Sequence, residues 1–194
     1  MKIVLASNNR NKIREINELL EGAFEVCSLQ EAGITEEIPE PYDTFEQNAH
    51  AKAAYVFAKT GIPTFAEDSG LVVPALNGAP GVYSARFAGQ PTNDAKNTAL
   101  LMLQMEGIKE RAACYQTVIC FVHSEGTHYF SGRCHGSIAD AARGTGGFGY
   151  DPVFIPEGYE QSFGELDPGI KKAISHRAKA MADFIAFLKQ FPKI

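Results

Sequence analysis

Three features of the chain predict an α/β fold: a mixed β-sheet flanked by helices. The N-terminal half alternates short apolar runs with segments of helical periodicity, the pattern of strand–helix units. Residues 113–122 and 128–138 then read as two strands joined at Ser124-Glu125-Gly126-Thr127, the pattern of a hairpin. Finally, 194 residues with 45% hydrophobic content suffice for a sizeable core, in one lobe or two.

The elements follow in order. Lys2 to Ala6 is a short apolar run, and Ile13, Ile16, Leu19 and Leu20 recur at helical spacing after the polar turn Ser7-Asn8-Asn9-Arg10-Asn11-Lys12. Phe24 to Leu29 predicts a second strand, followed by an acidic, proline-marked loop that contains Glu40. Thr44 with Gln47 forms a capping box for an alanine-rich helix to about Lys59, on which Asn48 and Lys52 share a face. Gly61-Ile62-Pro63 stops that helix, and Thr64-Phe65-Ala66 predicts a buried strand with Glu67-Asp68-Ser69-Gly70 at its exit. Asn77-Gly78 marks a turn, Thr92 caps a helix carrying Leu100, Leu101 and Leu103, and the hairpin follows. Asp151 to Pro156 predicts a short strand, and a last helix aligns Phe184, Phe187, Leu188 and Phe191 on one stripe.

The bulk properties exclude several classes. A net charge of -5 does not suit a nonspecific grip on a nucleic-acid backbone. No apolar run reaches the length of a membrane span, and the first residues turn polar too soon for a signal peptide. Cys27, Cys114, Cys120 and Cys134 show no metal-ligand spacing and read as free thiols of a reducing compartment. His50, His123, His128 and His135 likewise share no ligand spacing. These features predict a soluble cytoplasmic domain.

Four segments carry chemistry. Gly144-Thr145-Gly146-Gly147-Phe148-Gly149-Tyr150-Asp151-Pro152 combines glycines, aromatics and a carboxylate, and reads either as a ligand loop or as a hairpin with its aromatics turned inward. A phosphate cradle there would need a following helix, whereas the next residues read as a strand. Glu67-Asp68 could hold a hard cation through oxygen, activate a water, or merely cap a turn. The Ser7–Lys12 turn suits an anion at a helix N-terminus, although its asparagines also fit simple capping. Lys171, Lys172, His176 and Arg177 offer cationic donors for a phosphate or a carbonyl oxygen, or else form a solvated basic turn.

Taken in order, these runs resemble the inosine triphosphate pyrophosphatase family, also called the dITP/XTP pyrophosphatases. The resemblance rests on Ser7-Asn8-Asn9…Lys12, Thr44-Phe45…Asn48-Ala49…Lys52-Ala53 and Glu67-Asp68-Ser69-Gly70-Leu71. It continues through Gly78-Ala79-Pro80-Gly81-Val82-Tyr83-Ser84-Ala85-Arg86, Gly146 to Pro152, and Ser175-His176-Arg177.

It implies a single elongated, two-lobed domain over residues 1–194 that hydrolyses ITP, dITP and XTP to the monophosphate and pyrophosphate. It further implies Mg2+ as cofactor, held by Glu40 and Asp68, with Asp68 also the proton acceptor. Ser7, Asn8, Asn9, Arg10, Asn11 and Lys12 would hold the triphosphate, and Ser69 would contact substrate. Phe148, Gly149, Tyr150, Asp151, Lys171, His176 and Arg177 would line the nucleotide pocket, with Phe148 stacking on the base. His176 and Arg177 would donate to the 6-oxo group that distinguishes these purines from adenine. A homodimer is implied as well.

Two positions depart from the family pattern. Asn8 stands where glycine is frequent, and Glu67 replaces a frequent aspartate. The competing readings are a Maf-type nucleotide pyrophosphatase and a module that binds nucleotides without turnover.

Overall fold

The computed structural model describes residues 2–20 and 24–190. Strand β1, Lys2–Leu5, runs through the polar turn into helix α1, Arg10–Leu20, which buries Ile16 and Leu20. Strand β2, Glu25–Cys27, pairs parallel with β1, Ile3 lying opposite Val26. Helix α2, Phe45–Thr60, starts where the Thr44 hydroxyl accepts the Gln47 N–H at 3.2 Å. It stops at Gly61, whose φ of 66° lies where a side chain would be strained.

Strand β3, Thr64–Val72, pairs parallel with β1. Helix α3, Asp94–Gln104, leads to the hairpin of β4, Ala112–His123, and β5, Gly126–Ile138. Strand β6, Phe154–Pro156, pairs antiparallel with β5. The chain ends in α4, Pro168–Ile174, and α5, His176–Gln190. Strand order is β2-β1-β3-β4-β5-β6, so the sheet is mixed, as the sequence predicts.

Contacts divide the chain into two compact units. The first holds residues 1–68, 117–132 and 177–194; the second holds 69–116 and 133–176. In the first unit the alternation of strand side chains builds two apolar layers. Ile3, Leu5, Ile119 and Phe121 meet Ile16 and Leu20 of α1 and Phe184 and Leu188 of α5. Val4, Ala6, Cys120 and Val122 face Ala49, Ala53 and Val56 of α2. The small alanines let α2 approach the strands closely. The second unit has its own core, in which Tyr115, Phe154 and Phe163 join Leu101 and Met105. Each such side chain, fully buried, contributes about 1.5–3 kcal/mol relative to exposure.

Several elements differ from expectation. The acidic run lies inside β3 rather than at its exit, because β3 continues beside β4 past its pairing with β1 at Thr64 and Phe65, despite residues of poor strand propensity. The basic segment contains a helix: the Asp167 carboxylate accepts the Gly169 N–H at 2.7 Å and Pro168 begins α4. Extended backbone at Ser175, ψ 157°, then separates α4 from α5. Asn93, not Thr92, caps α3 by accepting the Lys96 N–H at 2.9 Å. Asp151 to Val153 forms a 3₁₀ turn, and only Phe154 to Pro156 is strand. Phe191 lies outside the described residues.

Candidate functional site

The residues singled out in the sequence fall into two groups, one in each unit. In the first unit Asn9 caps α1, its carboxamide oxygen accepting the N–H groups of Asn11 at 3.0 Å and Lys12 at 3.1 Å. Ser7 Oγ accepts the Asn9 N–H at 3.2 Å, tightening the same turn. Ser7, Asn11 and Lys12 are half-buried, whereas Asn8, Asn9 and Arg10 are exposed. Among the described non-glycine residues only Asn77 has positive φ, so Asn8 fills its position without left-handed backbone.

Glu40, Lys12, Lys52 and Asp68 form a compact charged group in this unit. The Lys52 ammonium donates to Glu40 and to the Glu67 carbonyl at 2.9 Å, and lies 3.9 Å from Asp68 Oδ1. Asn48, fully buried, exchanges hydrogen bonds with the backbone of Tyr42 at 3.0 and 2.9 Å, fastening the Glu40 loop to α2. It also hydrogen-bonds Asp68. Burial pushes the Asp68 carboxyl above its ordinary value; Lys52 and Lys12 oppose that shift and Glu40 adds to it. Burial likewise lowers Lys12, with Lys52 pushing in the same direction and Glu67 against it.

The Lys52 ammonium between Glu40 and Asp68 shows that the space between these acids attracts a cation. Two carboxylates also match the donor set that Mg2+ takes alongside substrate phosphates. Among the described residues no group of three or more His, Cys, Asp or Glu forms a self-sufficient cage. Sequence spacing places Lys52 beside Asn48 on one helix face, and the structure buries both there among Phe45, Ala49, Ala53 and Val56.

Glu67 serves a different partner. It is 1% exposed and receives Arg177 through Nε at 3.2 Å and Nη2 at 2.9 Å, while Thr117 donates at 2.6 Å. Arg177, 2% exposed, also donates to Glu15. Burial would raise the Glu67 carboxyl, but Arg177, Lys12 and these hydrogen bonds reverse the shift and hold it well below 4.5. The ionised form therefore contributes stability that is complete above about pH 4.5 and is lost as pH falls toward the lower folded value. Glu67→Gln should therefore melt below the parent at neutral pH, and the gap between the two should narrow only below about pH 4.5, a trend that a pH series of thermal melts would check.

The structure thus gives the Arg177 guanidinium two carboxylate partners in the first unit. His176, its neighbour in sequence, belongs to the second unit. There its ring stacks on Tyr115 at 4.7 Å with planes 8° apart.

The glycine loop also lies in the second unit and is organised around Asp151. This carboxylate, 1% exposed, accepts the Phe148 N–H at 2.8 Å and Lys171 Nζ at 2.6 Å, with the Tyr115 hydroxyl at 3.4 Å. Lys171 Nζ lies 4.6 Å from the centre of the Phe148 ring. The Tyr150 hydroxyl donates to the Ser84 carbonyl at 2.8 Å, and Gly149 and Ser69 are half-buried. Gly147 has φ 72°, and a Cβ there would collide with the Asp151 carboxylate. The lost side chain therefore lets the loop close on its own acid, a reason internal to the protein. Tyr115, Thr117 and Glu15 were not visible as site residues, since nothing local in sequence links them to partners up to 162 positions away.

Comparison with known proteins shows the family. The model of the Ham1 family matches residues 3–187. A dITP/XTP pyrophosphatase of Porphyromonas gingivalis is 48% identical over 96% of this chain and 97% of that protein. One of Flavobacterium johnsoniae is 47% identical over 97% and 98% of the two chains. Among solved structures, a HAM1 protein from Coxiella burnetii superposes with a TM-score of 0.91 at 36% identity, covering 98% of this chain and 100% of that one. With its sequence matched almost end to end and its fold shared, this chain belongs to the Ham1 family.

Proposed function

We propose that this chain hydrolyses deaminated purine nucleoside triphosphates, namely ITP, dITP and XTP, to the nucleoside monophosphate and pyrophosphate. The observation that carries this reading is the group of Asp68, Glu40, Lys52 and Lys12: two acids and two ammoniums buried or half-buried together. A triphosphate concentrates negative charge, and a leaving pyrophosphate adds more as its bond breaks. Lys12 and Lys52 supply fixed positive charge to meet it.

Asp68 takes the proton of a water whose oxygen bonds to the α-phosphorus. The bond from that phosphorus to the bridging oxygen breaks, and its electron pair leaves with pyrophosphate. The N-terminal turn of α1, from Ser7 to Lys12, offers side-chain donors and the positive end of the helix to the phosphates, while Asn9 holds the N–H groups of Asn11 and Lys12. Mg2+, held by Glu40 and Asp68, would neutralise phosphate charge and polarise the phosphoryl oxygens. Asn48 keeps both acids in place.

In the second unit Phe148 offers a stacking face and His176 a donor for the 6-oxo group, with Ser69 a further substrate contact. A donor at that position rejects adenine, which would leave it unpaired. Arg177 then serves chiefly by holding Glu67, next to Asp68 in β3. Residues 1–194 act as one catalytic domain. We further propose a cytoplasmic homodimer; sedimentation would test the dimer.

The test is pyrophosphate release across ITP, dITP, XTP, ATP, GTP, dTTP and UTP, with and without Mg2+. The first three should be hydrolysed preferentially, and chelation should abolish turnover. Equal turnover of ATP and ITP would overturn the proposed base selection, and preference for dTTP or UTP would favour the Maf-type reading. Phe148→Ala should raise KM for ITP about tenfold while leaving kcat within a few-fold, because stacking on one base contributes about 1–3 kcal/mol.

A further inference from the structure

We propose that Asp94 and Thr98 of helix α3 are positioning residues for purine recognition, gripping Gly149 at both ends and thereby fixing the ring of Phe148. The proposal rests on the activity and the stacking role given to Phe148 above.

Asp94 and Thr98 stand one helical turn apart and so share a face of α3. Asp94 Oδ2 accepts the Gly149 N–H at 2.8 Å, and the Thr98 hydroxyl donates to the Gly149 carbonyl at 3.2 Å. One residue of the loop is therefore held by both of its backbone polar groups, from one rigid element.

Asp94 is not spent on ending the helix, because Asn93 already caps α3 through the Lys96 N–H. Nor does packing hold Gly149, since nothing lies within 4 Å of the point where its Cβ would be. The residue adopts φ 62°, in the left-handed region, and the two side chains fasten it there.

Phe148 directly precedes this clamp. Its own N–H is bound by Asp151 and its ring lies under the Lys171 ammonium. Its peptide link to Gly149 is thus fixed on both sides, by Asp151 before it and by α3 after it. A preset ring loses little freedom when a base stacks on it, and that saving belongs to binding rather than to the chemical step. Asp94 and Thr98 touch neither substrate nor the reacting atoms; they act through Phe148.

The experiment measures kcat and KM for ITP and ATP, together with calorimetric ITP affinity, for Asp94→Ala, Asp94→Asn, Thr98→Val and Thr98→Ser. Asp94→Ala and Thr98→Val should each raise KM for ITP roughly threefold to tenfold, the worth of about one hydrogen bond, with kcat within twofold. The ITP-to-ATP preference should narrow in parallel. Asp94→Asn keeps an accepting oxygen and Thr98→Ser keeps the hydroxyl, so both should recover most of the loss, which a merely structural role would not require.

KM and ITP affinity within twofold of the parent in both Asp94→Ala and Thr98→Val would overturn the clamp, as would a fall in kcat at unchanged KM. A parent that binds ITP without releasing pyrophosphate would overturn the hydrolytic reading alone, and the affinities would still decide the clamp. A parent that binds no ITP overturns both.

Discussion

Asp68→Asn should fold normally and hydrolyse ITP roughly 10²–10⁴-fold more slowly than the parent. The substitution keeps the size of the side chain and an oxygen that can meet Lys52, while removing the carboxylate that takes the proton of water. It also removes the like charge facing Glu40, which contributes to raising the Asp68 carboxyl above its ordinary value. Stability should therefore hold or rise slightly, giving unchanged circular dichroism and a melting temperature no lower than the parent's. A loss in kcat without a parallel loss of fold is the signature of a proton acceptor. Turnover near that of the parent would remove Asp68 from the chemistry.

The second large effect is on stability. Glu67→Ala should destabilise the protein by about 3–5 kcal/mol, because it leaves Arg177 buried with half of its anionic partnership gone. The guanidinium is 2% exposed, so water cannot replace the lost carboxylate without opening the first unit. Thr117 loses its 2.6 Å acceptor as well. For a chain of this size the loss corresponds to about 10 °C in melting temperature.

The double change Glu67→Leu with Arg177→Met should recover much of that loss, since apolar side chains can often replace a buried ion pair without net cost. Thermal melts of the three proteins check this. If Glu67→Ala melts within 2 or 3 °C of the parent, the pair is not the structural brace described here.

The fold class was legible in the sequence because its signals are local. The apolar run at Lys2 to Ala6, the Thr44 cap and the hairpin turn at Ser124 to Thr127 each depend on residues a few positions apart. The extent of β3 was not legible. Glu67, Asp68, Ser69 and Gly70 are poor strand formers, and it is the remote neighbour β4, not local propensity, that keeps them extended. Helix α4 was missed for a related reason: Pro-Gly at its start reads as a turn, whereas Asp167 caps it and Pro168 suits a first helical position.

The chemical site was partly legible. Acids and lysines were recognisable as types, but which acid meets which cation depends on contacts between remote segments. Glu67 and Asp68 are neighbours in sequence yet occupy different environments. Glu67 meets Arg177 and Thr117, while Asp68 meets Lys52 and Asn48. Side chains alternate along a strand, which sends adjacent residues to opposite faces. In α5 it is the turn of the helix that points His176 and Arg177 in different directions, one stacked on Tyr115 and the other bound to carboxylates.

The most direct test of the central claim is hydrolysis of ITP in water enriched in ¹⁸O, with the products analysed by mass. If Asp68 activates water for attack on the α-phosphorus, one ¹⁸O atom should appear in the inosine monophosphate and none in the pyrophosphate. Label in the pyrophosphate, or products that are inosine diphosphate and orthophosphate, would contradict the account.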